Sequence, residues 1–295
     1  MRADMPELIT TEIEPESQKE LDEGERKEAE ERSSVTVQVV HEAIRKQGDE
    51  ELNRSPQALA WSGLAAGFSM GMSFVVEGLL QAHLPDTPWR VFLVRLGYPV
   101  GFLMVVGGRQ QLFTENTLSP IIPLLERHDR ATLWKVFKLW AAVFVANMIG
   151  AHIVAWVLSN TPAFPPEVQT AFQQIAREAT AVTFGTALLR GIFAGWLIAM
   201  MVWMLAVMND SRLPVILIMT YVIGLGGFTH IVAGSAEALF LVWNGSISWM
   251  VYAAGYALPT LIGNVLGGVT LVSVLNHAQV VAGKVEKRRR KILRP

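Results

Sequence analysis

Gly226-Gly227-Phe228-Thr229-His230 breaks an apolar run that extends from Leu213 to Val242. A glycine pair and a titratable ring at that depth do not suit an uninterrupted helix. Ionisable groups inside a bilayer are costly, so such a histidine is expected to face a pathway or a partner. The chain repeats the device. Gly107-Gly108 and then Phe113-Thr114 interrupt an earlier apolar run, and Phe113-Thr114 stands 115 residues before Phe228-Thr229. Two broken spans in matching positions are the sequence signature of a transport site built where two repeats meet.

Outward from these breaks the chain reads as an integral membrane protein. Of its 295 residues 51% are hydrophobic and 17% charged, the charges gathered mostly at the two ends. Apolar stretches run from about Ala58 to Leu80, Val91 to Leu125 with an interruption, Val136 to Leu158, Thr180 to Met208, Leu213 to Val242 with an interruption, and Trp249 to Leu275. At roughly 20 residues per crossing these make six spans, the second and fifth broken. Six crossings return the chain to the side on which it started. The basic tail (Lys284, Lys287, Arg288, Arg289, Arg290, Lys291, Arg294) marks that side as cytoplasmic, together with Arg127, Arg130, Lys135, Lys138 and Arg212. The longest outward loop, Ser159 to Glu178, holds Pro162, Pro165 and Pro166 and is expected to be extended at first and helical later.

Residues 1–54 form a Glu-rich arm, 55–278 the transport domain and 279–295 the basic tail. The first 34 residues are Glu-rich, with few large apolar groups and no apolar h-region, which predicts disorder and argues against a signal peptide. From Val35 to Leu52 apolar residues return with charge between them, which suits either a short amphipathic surface helix or a solvated linker, with Ser55-Pro56 opening the first span.

Three spans per half is an odd number, so the second half is inverted relative to the first. Asn147-Met148-Ile149-Gly150 in the third span matches Asn264-Val265-Leu266-Gly267 in the sixth, 117 residues later, while no correspondence as clear links the first and fourth. Non-helical backbone at membrane depth must be satisfied by protein or by a watery cavity, so the two breaks should face one another. Half-helix ends there would favour an anion, with Thr114 offering a hydroxyl from one side and His230 an imidazole N–H from the other.

These residues resemble the formate/nitrite transporter family. The resemblance rests on Leu112-Phe113-Thr114, Gly227-Phe228-Thr229-His230, Gly191-Ile192 and Asn264-x-x-Gly267-Gly268, in order and spacing over roughly Ala58 to Asn276. Ala233-Gly234-Ser235-Ala236-Glu237 is most similar to its YfdC-type branch of bacterial inner-membrane members. The resemblance implies an all-α, aquaporin-like pentamer, each subunit with a pore for a small monovalent anion such as formate, nitrite or hydrosulfide. It implies that Thr114 and His230 handle the anion between two apolar constrictions. Phe102, Leu112 and Phe113 would form one constriction and the neighbourhood of Ile223 the other, with Tyr98 nearby and Thr229 beside the histidine. Several positions depart from the family pattern. Ala179 stands near the place of a lysine at the outer mouth, with Arg177 a candidate substitute. Gly195 replaces that lysine's asparagine partner, Gln111 a glutamate, and Gly234 an asparagine. A pore for a neutral solute or weak base, and a non-conducting membrane scaffold, therefore stay open beside the anion pore.

Glu77, Arg109, Glu115, Arg190 and Glu237 also lie in or beside apolar runs and cannot all be unpaired. Arg190 is the most unexpected. It is read either as a charge replacing the missing lysine or, preferred, as a partner of Glu77 or Glu237. Glu237 falls seven residues after His230 and could act on it electrostatically if the helix restarts promptly. His152 is expected to be a hydrogen-bonded interface residue. The other histidines show no ligand spacing, so no metal site is expected. With no nucleophile motif or phosphate-binding loop, the chain is not expected to be an enzyme or to carry a cofactor. The basic tail suits topology or anionic lipid better than nucleic acid.

Overall fold

The computed structural model describes residues 35–208 and 211–292, with the backbone alone at residue 284 and over 286–292. The expected disorder of the first 34 residues and the side chains of the basic tail lie outside that range.

Local sequence sets each element. A surface helix, α1 (Val37–Leu52), buries Val40, Ile44 and Leu52 and turns Glu42, Arg45 and Asp49 into an ion-paired outer face. Arg45 holds the Glu42 carboxyl below the usual carboxylate range. The first span, α2 (Pro56–His83), starts where Pro56 fixes φ and the Ser55 hydroxyl accepts the Ala58 N–H at 3.2 Å. The second comprises α3 (Arg90–Val94), one 3₁₀ turn (Arg95–Gly97) and α4 (Tyr98–Gly107). It then breaks and ends in a 3₁₀ turn (Glu115–Thr117) and α5 (Ile121–Arg127). The third, α6 (Arg130–Asn160), is capped by Asp129, whose carboxyl is held low by the Thr132 N–H and hydroxyl. The long loop after the third span becomes helical as expected, in α7 (Pro166–Thr180), but its start is not extended: Ser159 and Asn160 still belong to α6, and the chain turns at Pro162-Ala163. The fourth span is α8 (Phe184–Leu205); the fifth is split into α9 (Arg212–Leu225) and α10 (Ala233–Trp243). The sixth contains a π-helical segment (Val251–Ala257), α11 (Leu258–Leu266), a second π segment (Gly267–Val274) and α12 (Leu275–Ile292).

Five of these helices are long and apolar enough to cross a bilayer, and the shorter α9 and α10 supply the broken crossing. That gives an all-helical bundle of six crossings. Large apolar side chains such as Phe137, Val145, Ile149, Leu189 and Ile218 project outward, as a lipid-facing or subunit-facing surface requires.

The halves pack alike: the first span lies against the third, and the fourth against the sixth. The closeness depends on glycines. A Cβ on Gly67 would run into the Asn147 carbonyl, and one on Gly195 into that of Asn264. Gly63-x-x-x-Gly67 and Gly191-x-x-x-Gly195 are therefore the correspondence between first and fourth spans that the sequence comparison did not find. Gly195 packs against the sixth span, at the backbone of Asn264.

The described ends of the chain meet on one side. His41 of α1 and His277 of α12 approach to 3.0 Å between Nε2 and Nδ1, and Asp49 of α1 binds Arg127 at 2.6 Å.

Candidate functional site

Both broken spans stop in the same way. In the second, the N–H groups of Gly108, Arg109 and Gln110 bond the carbonyls of Met104, Val106 and Val105 at 2.9, 3.2 and 2.9 Å. In the fifth, those of Gly226, Gly227 and Phe228 bond Val222, Gly224 and Ile223 at 2.9, 3.2 and 3.0 Å. The residue that reverses the chain has positive φ in each, 49° at Arg109 and 57° at Gly227. Position for position, the breaks are 118 residues apart. The Phe-Thr echo at 115 is thus offset by three from the structural repeat. The helix-stop turn sets the register, and it places Gln111 with Thr229, Leu112 with His230 and Phe113 with Ile231.

An asparagine holds each break open. Asn147 accepts the Phe113 N–H at 2.9 Å and donates to the carbonyls of Gly63 and Gln111 at 2.7 and 3.0 Å. Asn264 accepts the Ile231 N–H at 2.8 Å and donates to those of Gly191 and Thr229, both at 2.9 Å. Each carboxamide thereby satisfies one N–H and one carbonyl that the broken span leaves without partners in an apolar interior, and ties the break to a carbonyl of a neighbouring continuous helix, Gly63 in the first span or Gly191 in the fourth.

Thr114 and His230, carried by opposite breaks, meet at 2.8 Å between Oγ1 and Nε2, both buried. On the other side of the ring, Nδ1 accepts the Ala233 N–H at 3.2 Å. A nitrogen that accepts carries no proton, so Nε2 carries it and donates to Thr114. The Thr114 hydroxyl hydrogen is then free to point elsewhere. Phe102 meets the imidazole edge-on at 5.2 Å, and Tyr98 leans on Phe102 at 5.5 Å. Phe102 and Leu112 are fully buried. Phe113 turns to the third span, against Trp140 and Phe144. The Thr229 hydroxyl is committed to the Ala187 carbonyl at 2.7 Å.

Two cavities approach this apolar centre. One, of about 160 Å³, has Tyr98, Ile223, Thr229, His230, Glu237, Tyr256, Ala179 and Arg190 on its wall. The other, of about 670 Å³, lies on the α1 side and is lined by Val105, Gln111, Glu115, Arg109, Arg212 and residues of α1 from Ala43 to Glu51. Burial pushes the Glu51 carboxyl above the usual range, although Ser119 and Gln47 donate to it.

The preferred pairing of Arg190 with Glu77 or Glu237 does not occur. Glu77 is taken by Arg95 at 2.9 Å, and Arg95 also reaches Glu178 at 3.6 Å. Arg95, on the short turn ahead of α4, was the residue to find. Its signal is an arginine three positions before Tyr98, inside an apolar run. Tyr256 was also missed. Its hydroxyl fills the space beside Gly234, where any Cβ would collide with it. Glu237 shares a cavity wall with His230 because α10 restarts at Ala233. Arg177 is not on that wall. His152 bonds the Met148 carbonyl of its own helix at 2.9 Å and stacks on Trp249.

Comparison with known proteins agrees with this architecture. Residues 38–278 match the family model described as formate/nitrite transporter. The inner membrane protein YfdC of Escherichia coli (strain K12) is 39% identical over 94% of this chain and 90% of its own. The formate channel BtFdhC of Bacillus thuringiensis is 25% identical over 79% and 91%. Among solved structures, a pentameric formate channel with formate bound superposes with a TM-score of 0.63 at 18% identity, covering 80% of this chain and 99% of that one. An ion channel of the same family superposes with a TM-score of 0.70 at 15% identity, covering 81% and 97%.

Proposed function

The chain belongs to the formate/nitrite transporter family, and from that premise we propose that it is a pore for a small monovalent anion such as formate or nitrite, passive or proton-coupled. We further propose that it assembles as a pentamer in a bacterial inner membrane with both termini cytoplasmic. Its work is transport rather than catalysis. The observation that carries the reading is the Thr114–His230 hydrogen bond at 2.8 Å, made between the two breaks and set between two cavities.

The physical logic is electrostatic. An apolar constriction such as Phe102 and Leu112 opposes a bare charge by more than the few kcal/mol that an unpaired polar group costs in apolar surroundings. Donors must lower that barrier at the point where water is stripped away. Nε2–H fixes the Thr114 oxygen, leaving the Thr114 O–H to bond one oxygen of the passing ion. Nδ1 is held by the Ala233 N–H, so a second ring proton would face another N–H. This favours hydrogen-bond donation by a neutral imidazole over a fixed imidazolium. An anion held in this way could then cross bare, or as its neutral acid with a proton taken from the vestibule.

A second reading, a pore for a neutral solute or weak base, is kept because Ala179 occupies the outer wall where the family carries a lysine. Uptake of formate, nitrite and a small uncharged solute into proteoliposomes distinguishes them. Saturable uptake of either anion, with no passage of the neutral solute, is the expected result; the reverse pattern would replace the anion reading with the neutral one.

A further inference from the structure

Both mouths of this chain carry a guanidinium next to a break, by different routes. In the second span the positive-φ residue is itself an arginine: Arg109, with φ 49°, lines the larger cavity. The structurally equivalent residue of the fifth span is Gly227, with φ 57°. Arg109 proves that this turn accepts a long side chain, so backbone strain alone does not explain the glycine. A neighbour's charge comes up to Gly227 instead: Arg190 Nη1, from the fourth span, lies 3.6 Å from where a Gly227 Cβ would stand, an ordinary contact distance. Arg190 thus supplies from α8 what Arg109 supplies in place.

Neither guanidinium makes an ion pair among the described residues, whereas Arg95 on the same wall as Arg190 is bound to Glu77 and Glu178. Half-buried Arg190 and exposed Arg109 both front a cavity. A fixed cation in a cleft raises the local concentration of small anions and falls in effect as salt screens it.

We infer that Arg190 and Arg109 are a pseudosymmetric pair of anion-gathering residues, one at each mouth, and that Arg190 is the specificity-determining charge on the mouth where a lysine is absent. The inference rests on the anion-pore reading. Glu237, on the wall with Arg190 and without an ion pair among the described residues, opposes it.

The test is initial formate uptake by proteoliposomes at low and high ionic strength, at formate concentrations well below saturation. Arg190→Gln and Arg109→Gln should each lower low-salt uptake about 3- to 10-fold, as expected for one unpaired charge near a narrow mouth. The deficit should close at high salt. Arg190→Lys should restore uptake, Glu237→Gln should raise it, and Arg177→Gln should match the wild type. Wild-type salt dependence retained in both glutamine variants overturns the inference. A deficit that high salt leaves unchanged assigns the arginines to structure and overturns it equally. A wild-type protein that passes no formate or nitrite overturns the anion-pore reading itself.

Discussion

Replacing Thr114 by valine removes one hydroxyl and almost no volume. Two consequences follow from the geometry. The His230 Nε2–H, now bonded to Oγ1 at 2.8 Å in a fully buried site, loses its acceptor. An unsatisfied buried donor costs about 1–3 kcal/mol, so the protein should be measurably less stable yet still assembled. The hydroxyl hydrogen that would meet the permeating ion is also gone. A hydrogen bond to a charged group contributes about 1.5–3 kcal/mol, so its loss from the constriction should slow passage roughly 10- to 100-fold. Thr114→Ser keeps the hydroxyl and should keep most of the flux. The assay is radiolabelled formate uptake by proteoliposomes, with size-exclusion chromatography to confirm that each variant retains its oligomer. Undiminished uptake by Thr114→Val from an intact oligomer would refute the hydroxyl's part in permeation.

Asn147→Ala and Asn264→Ala should destabilise alike. Each strips the partner from one N–H and one carbonyl of a break, at about 1–3 kcal/mol per group, and removes a further bond to a neighbouring helix, so thermal unfolding in detergent should show similar drops for the pair; a mild effect at either site would contradict the repeat. Glu51→Gln tests burial at the α1 side. Because burial raises the Glu51 carboxyl, the folded protein holds that proton more tightly than the unfolded chain. The stability it contributes is full below the unfolded value and is lost as pH rises through the folded one. Glu51→Gln should therefore unfold at a higher temperature than the wild type in mildly alkaline buffer, with the difference shrinking in acid; a pH-independent difference would count against a buried carboxyl there.

Sequence periodicity and composition were enough to place six crossings and both breaks, because bilayer thickness and backbone satisfaction leave few alternatives to a broken apolar run. Thr114 and His230 were legible for the same reason. The register of the repeat was not. Phe-Thr recurs at 115 residues by identity, whereas the hydrogen bonds repeat at 118, since the turn is defined by backbone geometry and accepts Arg109 in one half and Gly227 in the other. Gly63, Gly67, Gly191 and Gly195 were visible letters whose pairing only the packing revealed. The Glu77–Arg95 contact joins two spans, and no spacing rule along one helix predicts which buried acid an arginine will choose. Phe113 likewise has a position fixed by the break but a direction fixed by Trp140 and Phe144.

The central claim is that a small anion passes the His230–Thr114 contact. The most direct measurement is formate flux into proteoliposomes across an imposed pH gradient, for the wild type and His230→Ala side by side. The account predicts pH-dependent flux in the wild type and its loss in the variant, with the oligomer intact. Equal flux and an unchanged pH profile in His230→Ala would contradict it.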